Sequence, residues 1–165
     1  MVRARPNDGL RFETVHGELL VTRAPPPAHR EVAHRLREAL RRYLANHPLG
    51  RVLAAPAGLA PGPDSLVLPD VFVVPTALTA DRTAPLLVAE VLSPSSARAD
   101  RFTKRRLYQE LGVPVYWLAD PRSRSVEVWG PSSVLPLVEY ARLTWAPSGS
   151  LSTFSLWLDD LFAGP

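Results

Sequence analysis

Two acidic residues stand beside apolar runs, where a carboxylate is costly to bury. Glu90 lies within residues 86–92, a run that is apolar on both faces of a strand. Asp70 follows Pro69 and introduces a second apolar run over residues 71–74. A buried carboxylate needs a cation, a proton or a metal ion to compensate its charge. If the two runs are neighbouring strands, the two carboxylates converge on one site.

A lysine follows these acids on a segment with helical spacing. Asp100, Lys104 and Tyr108 are spaced i, i+4 and i+8, so they share one face of a predicted helix. Lys104 is the only lysine among 19 basic residues, and a guanidinium does not replace a compact ammonium beside water and a metal. We expect Asp100 to hold the Lys104 side chain, and Tyr108 to brace it or contact a phosphate.

This combination predicts a metal-dependent phosphodiesterase site. Two ionised carboxylates repel each other unless a cation lies between them. Mg²⁺ takes oxygen ligands and leaves positions for water and a substrate phosphate, and Mn²⁺ is a possible substitute. The ion would polarise a phosphoryl oxygen and activate a water. Lys104 would position that water or help to deprotonate it, and would stabilise the charge that develops on phosphorus.

Basic residues beside the lysine predict contact with nucleic acid. Arg101, Arg105 and Arg106 lie on the same predicted helix and could follow a phosphate backbone. The formal net charge of +3 and the pI near 9.8 permit such binding without requiring it. DNA is the expected substrate.

The elements that must position these residues form a mixed α/β arrangement. Alternation places Val88, Glu90 and Leu92 on one face of the central strand. The predicted elements, in order, are a hairpin over 10–23 that turns at His16-Gly17, a helix over 29–47, strands over 51–59, 66–74 and 86–92 with a turn at 60–64, a helix over 97–111, strands over 113–119 and 125–129, a hairpin within 135–145, and a short element over 156–162.

Length and composition predict one domain. The 165 residues suffice for a single core, and residues 1–9 are expected to form a loose arm. Apolar residues make up 46% of the chain, but no run reaches the roughly 18 residues of a membrane span, so we expect no membrane contact. The absence of cysteine excludes disulfides and thiolate metal sites and favours a cytoplasmic location.

The ordered motifs resemble the Uma family of restriction-endonuclease-like proteins, a branch of the PD-(D/E)xK nuclease superfamily. The resembling stretches are His16-Gly-Glu-Leu-Leu20, His29 at the start of the first helix, Leu68-Pro-Asp-Val-Phe72, Val88-Ala-Glu-Val-Leu-Ser-Pro-Ser95, residues 100–108 and residues 112–121. The resemblance implies a restriction-endonuclease-like core with flanking helices and extra hairpins. It also implies that Asp70 and Glu90 are metal ligands, that Glu18 is an accessory acid and that Lys104 is the catalytic lysine.

Two positions depart from the family pattern. The superfamily places a lysine two residues after the second acid, where this chain has Leu92, so Lys104 must reach the same space from the following helix. The residue before Gly17 is often acidic in the family, whereas this chain has His16.

Simpler interpretations accompany each residue. Asp70 could begin a turn, Glu90 could pair with an arginine, and Lys104 with Asp100 could be a surface ion pair. Glu18 could be an ordinary acid at a hairpin end. His29 could be a substrate-side or helix-start residue.

Alternative functions also follow from the sequence. The chain could be a catalytically silent nucleic-acid-binding protein or an oligomeric interaction protein on the same fold. A homodimer is a further expectation, with the apolar residues 151–162 as its interface.

Overall fold

A computed structural model describes residues 9–76 and 84–164, so the predicted arm over residues 1–9 lies outside the described residues except for Gly9. Within these ranges the chain forms twelve strands, three α-helices and one π-helical segment. The strands are β1 (Leu10–Val15), β2 (Glu18–Arg23), β3 (Gly50–Ala54), β4 (Leu59–Gly62), β5 (Ser65–Val67), β6 (Val71–Pro75), β7 (Leu87–Val91), β8 (Tyr116–Asp120), β9 (Ser125–Trp129), β10 (Leu137–Glu139), β11 (Arg142–Trp145) and β12 (Phe154–Trp157). The helices are α1 (Pro27–Asn46), the π-helical segment (Ala99–Lys104), α2 (Arg105–Glu110) and α3 (Leu158–Leu161).

A six-stranded mixed sheet forms the centre of the fold, in the order β10-β9-β8-β7-β6-β3. β7 and β8 are parallel, whereas the other neighbouring pairs are antiparallel. A second sheet has the order β2-β1-β5-β4, and β11 pairs with β12. The predicted mixed α/β class is confirmed. Among the described residues, no helix combines the length and apolarity that crossing a bilayer requires.

The two faces of the central sheet are covered by different elements. Leu87 and Val91 belong to a core that contains α1, α3 and the β11–β12 pair. Val88 and Leu92 belong to a second core that contains α2 and residues of β1 and β5. Because Glu90 is two residues away from both Val88 and Leu92, it shares their face and points to the second core.

Helix α1 follows the expected apolar spacing. Val32, Leu36, Leu40 and Leu44 are buried against the sheet, as the predicted helix over 29–47 requires. Pro27 occupies the first turn, where its missing N–H is tolerated.

The predicted strands over 51–59 and 66–74 are each wrong in part. The first ends at Ala54, and Leu59–Gly62 is a strand that pairs with β5 in place of the predicted turn. The second divides into β5 and β6. Pro69 has no N–H for a ladder, and the N–H of Leu68 donates to Glu13 Oε1 at 2.7 Å, so a distant side chain stabilises the break.

The predicted hairpin within residues 135–145 is also wrong. β10 pairs with β9, whereas β11 pairs with β12. The C-terminal residues Phe154, Leu158 and Leu161 are buried in the chain's own core, so they are not available as the expected dimer interface.

Candidate active site

Asp70 and Glu90 lie side by side because β6 and β7 are antiparallel neighbours. The Asp70 N–H donates to Glu90 Oε2 at 3.1 Å. In return, the Val91 N–H donates to Asp70 Oδ2 at 2.9 Å. Each carboxylate is therefore held by the backbone of the neighbouring segment. The structure brings together the two acids that the sequence singled out.

Lys104 lies in the same buried cluster, surrounded by carboxylates. Its Nζ is 3.0 Å from Glu13 Oε2, 3.1 Å from Glu90 Oε1 and 3.2 Å from Asp100 Oδ1. The Lys104 side chain is only 2% exposed. A lysine on a solvated helix face is therefore excluded, and Lys104 reaches the space beside Glu90 from the helix.

The helix that carries Lys104 contains a π-helical segment, where a regular α-helix was expected. Asp100 and Lys104 are both buried residues of this segment. Single π-turns are rare and occur often at functional sites. Lys104 of this segment contacts both Glu90 and Asp100, and regular α-helix resumes at Arg105.

Two tyrosines brace this arrangement from the protein interior. The Tyr108 hydroxyl donates to Glu90 Oε1 at 3.3 Å, and the Tyr116 hydroxyl donates to the backbone oxygen of Asp100 at 3.0 Å. Both rings are almost fully buried. Tyr108 therefore braces Glu90 and, in this arrangement, does not reach a phosphate.

The far side of Asp70 contacts two nitrogen donors. Arg11 Nη1 lies 3.1 Å from Asp70 Oδ1, and His29 Nε2 lies 3.1 Å from Asp70 Oδ2. His29 is in the first turn of α1 and is buried. Within the described part of the chain, His29 Nδ1 and Arg11 Nη2 are buried without a hydrogen-bond partner. His29 thus belongs to the site through its contact with Asp70.

The structure does not bring Glu18 into the cluster. Glu18 is exposed and pairs with Val15, whereas Glu13 pairs with Leu20 in the same hairpin. Glu18 is therefore two residues, or about 7 Å, closer to the hairpin turn than Glu13. Glu13 is the hairpin acid that contacts Lys104.

Arg11 and Glu13 are the site residues that the sequence analysis missed. Their signal was alternation, because Arg11, Glu13 and Val15 share one face of β1, and an inward Val15 makes that face the buried one. The hairpin was predicted, but nothing local to β1 shows that it lies over Lys104.

The three predicted nucleic-acid arginines are each engaged by the protein. The Arg101 side chain is 37% exposed and that of Arg106 is 80% exposed. Their partners are Glu127 at 3.0 Å for Arg101, the Trp129 ring at 4.3 Å for Arg105, and Glu110 at 2.9 Å for Arg106.

The cluster holds more negative than positive charge. Glu13, Asp70, Glu90 and Asp100 are all buried and carry four negative charges when ionised. Arg11 and Lys104 supply two fixed positive charges. The ionised carboxylates therefore outnumber these two fixed cations, and such an arrangement is costly unless protons or a further cation offset it.

Burial and neighbouring charges separate the pKa values of these groups. Burial raises the pKa of Glu90 well above its usual range despite the opposing charge of Lys104, and burial likewise raises the pKa of Asp100. Burial would also raise the pKa of Asp70, but the hydrogen bond and charge of His29, together with the positive charge of Arg11, lower it. Burial would lower the pKa of Lys104, yet its carboxylate neighbours raise it. Lys104 is therefore a charged ammonium, suited to orienting water and stabilising negative charge.

The cavity inside the cluster is small and lies next to two open clefts. Its volume is about 10 Å³, room for about one water molecule. One cleft, of about 420 Å³, is lined by His29, Leu92, Ser93, Arg101, Asp120 and Arg122 among others. The other, of about 470 Å³, is lined by Arg11, Pro25, His29, Arg30, Arg37 and Asp70 among others. His29 lines both clefts and the inner cavity.

The donor set fits a hard divalent cation by its chemistry. The four carboxylates offer only oxygen ligands, which Mg²⁺ and Mn²⁺ prefer. Among the described residues, no three His, Asp or Glu side chains are already arranged around a metal position. The carboxylates are closed around Lys104 and Arg11, so a cation would have to compete with these contacts.

Comparisons with known proteins agree with this fold. The Uma2 family model matches residues 2–159. A crystal structure of a nuclease, described as "putative" and as belonging to DUF820, from Anabaena variabilis ATCC 29413 has a TM-score of 0.74 and 20% identity, covering 92% of this chain and 89% of that chain. At this identity the likeness shows the fold, and it confirms the predicted nuclease-type core. No curated protein gave a significant match. Because the family match spans most of the sequence, the chain belongs to the Uma2 family, whose description is "Putative restriction endonuclease".

Proposed function

We propose that this protein is a divalent-metal-dependent endonuclease that hydrolyses phosphodiester bonds of DNA, with Mg²⁺ as its cofactor and Mn²⁺ as a substitute. One observation carries the proposal. Four buried carboxylates outnumber the two fixed cations, Arg11 and Lys104, in a nuclease-type fold. A divalent cation would offset the charge of these carboxylates when they are ionised.

Asp70 and Glu90 are the residues that would hold the cation, because they meet at the edge of the inner cavity. A bound Mg²⁺ supplies Lewis-acid polarisation of a phosphoryl oxygen and an activated water. Lys104 would orient the attacking water and stabilise negative charge on phosphorus. Asp100 and Glu13 position the Lys104 ammonium. His29 and Tyr108 orient the two ligand carboxylates.

Substrate would approach through the clefts, since the inner cavity has no room for a phosphate group. Of the three predicted arginines, Arg101 is the one that lines the smaller cleft. We retain Arg105 and Arg106 as proposed outer contacts. We also propose a cytoplasmic homodimer, in which two sites would address two DNA strands, and light scattering tests its mass.

Nicking of supercoiled plasmid tests the activity. We expect conversion to open circles in Mg²⁺ or Mn²⁺ and none in EDTA. Asp70→Asn and Glu90→Gln should abolish the conversion, with circular dichroism confirming that each variant is folded. Nicking that persists in both variants would refute the site, and inactivity of the wild type on plasmid, linear DNA and single strands alike would refute the endonuclease.

A second candidate function is nucleic-acid binding without cleavage. It is favoured by the closed state of the cluster, in which Lys104 contacts three carboxylates. A protein of this kind would bind DNA in EDTA, take up no Mn²⁺ and show no nicking. Uptake of Mn²⁺ at Asp70 and Glu90 would argue against it.

A further inference from the structure

Helix α1 carries a line of basic residues on the side that borders the larger cleft. Arg30, His34, Arg37 and Arg41 are spaced at i, i+4, i+7 and i+11, which keeps them on one helical face. Arg30, His34 and Arg41 are exposed, and Arg37 is half-buried. The line is therefore a cationic strip about 16 Å long, by the helical rise.

This strip is continuous with the candidate active site. The cleft lined by Arg30 and Arg37 also contains Arg11 and Asp70 in its wall. A shallow neighbouring groove of about 640 Å³ is lined by Arg37, Arg41 and Arg51 of β3. The cleft and the groove share Arg37, so one basic surface runs from Asp70 to Arg51.

One acid faces this surface from within α1. Glu38 Oε1 lies 3.3 Å from Arg37 Nε and 3.4 Å from Arg41 Nη1. Arg30 donates to the Pro25 backbone oxygen at 3.3 Å. This acceptor is neutral, so the contact does not offset the positive charge of Arg30. Surface ion pairs contribute little and exchange readily for phosphate contacts. The surface keeps a clear excess of positive charge.

We propose that the α1 strip, defined as Arg30, His34, Arg37 and Arg41 with Arg51, binds the phosphate backbone of the DNA strand that enters the active site. A length of about 16 Å matches roughly five phosphates along one strand of a duplex. The inference rests on the proposed function and adds the substrate path. Arg101, Arg105 and Arg106 are bound by Glu127, Trp129 and Glu110, whereas the strip meets one glutamate.

DNA binding measured without cleavage tests this path. Fluorescence anisotropy in EDTA would follow a labelled 20-base-pair duplex and a 20-nucleotide single strand between about 50 and 200 mM salt. The test variant is Arg41→Gln with Arg51→Gln. The charge-matched control is Arg42→Gln with Arg142→Gln, which changes two exposed arginines that do not line the cleft or the groove.

We expect the test variant to lower the slope of log affinity against log salt by about 2, and to weaken binding about tenfold or more at low salt. The control should change affinity less than about twofold on the same scale. Glu38→Gln should tighten binding, because it releases Arg37 and Arg41. The duplex and single-strand arms show which form the strip holds.

Equal losses in the test and control variants, an unchanged salt slope, or no wild-type binding to either DNA would overturn the proposal. Strip-dependent binding without nicking would uphold the strip and refute the nuclease. Nicking by a protein whose DNA binding does not depend on the strip would uphold the nuclease and refute the strip.

Discussion

At the scale of single residues, Lys104 determines the electrostatics of the site. It contacts Glu13, Glu90 and Asp100 at 3.0–3.2 Å and is shielded from water. When one partner of a buried ion pair is removed, the protein loses more stability than the intact pair contributed. The reason is that the remaining charge stays buried without compensation. Lys104 is therefore predicted to affect stability as well as activity.

Lys104→Met keeps most of the side-chain volume and removes the charge. We expect the free energy of unfolding to fall by roughly 3–5 kcal/mol at neutral pH, measured by urea titration. When folding raises the pKa of a buried acid, the free energy of unfolding of the protein falls as pH rises through that range. Without Lys104 to oppose that rise for Glu90 and Asp100, the deficit of the variant should shrink as pH falls from about 7 to about 5. A deficit that is constant across this range would contradict the electrostatic account.

Glu13 and Glu18 form a matched pair on one hairpin. Glu13→Gln should reduce nicking by about 100-fold or more, because it removes a carboxylate that positions the Lys104 ammonium. Glu18→Gln should leave the rate within about twofold, since Glu18 is exposed near the turn. Both rates are measured at saturating Mg²⁺ on the same plasmid. Loss of activity in Glu18→Gln but not in Glu13→Gln would instead support Glu18 as the accessory acid that the family resemblance implied.

Site residues could be predicted from the sequence where a charged side chain was unusual among its neighbours or in the composition. Asp70 and Glu90 stood out against apolar runs, and Lys104 stood out as the only lysine. Arg11 and Glu13 could not be identified in this way, because an arginine and a glutamate in a half-exposed hairpin are ordinary. Their roles depend on the packing of that hairpin over α2, which is a long-range contact.

At the scale of elements, local sequence signals predicted helix and strand types better than their interruptions. The helix over 97–111 was expected as regular, yet it contains a π-helical segment at Ala99–Lys104. The break at residues 68–70 depends on Glu13, which lies 55 residues away from Leu68. The π-helical segment does not follow from helix propensity, and although Pro69 marks the break locally, the contact that holds Leu68 there comes from a distant strand.

Gly112 follows the predicted helix over 97–111, and the structure shows why glycine is used at this position. Its φ is +67°, and the Val113 N–H donates to the Tyr108 carbonyl at 3.0 Å, as in a left-handed helix terminus. Gly112→Ala should lower the free energy of unfolding by about 1 kcal/mol. Gly164→Ala is the control, since Gly164 has open space and its φ lies outside the left-handed range. An equal effect of both changes in thermal unfolding would contradict the backbone explanation.

At the scale of the whole molecule, the sheet order places the site at a junction of three layers. β1 comes from the second sheet, β6 and β7 from the central sheet, and α1 and the π-helical segment from opposite faces. The C-terminal segment, residues 154–162, packs against α1 and completes the core on that side of the central sheet. The pairing of β11 with β12 was not predictable from tight-turn hairpin signals, because eight residues lie between even the nearest partners, Trp145 and Phe154.

Leu158 tests the role of the C-terminal segment. Leu158 is 1% exposed, so Leu158→Ala should lower the free energy of unfolding by roughly 2–5 kcal/mol without changing the molecular mass by light scattering. Leu151 is fully exposed, and Leu151→Ala should change neither quantity. A dimer that dissociates in Leu158→Ala while the monomer keeps wild-type stability would instead assign this segment to an interface.

Calorimetric titration with Mn²⁺ shows whether the proposed ligands Asp70 and Glu90 bind a divalent cation, and it needs no knowledge of the cognate DNA. We expect saturable binding of Mn²⁺ to the wild type, retained in Glu18→Gln and lost in Glu90→Gln and Asp70→Asn while those variants stay folded. Absence of binding to the wild type, or binding of equal affinity in Glu90→Gln and Asp70→Asn, would contradict the proposed metal site.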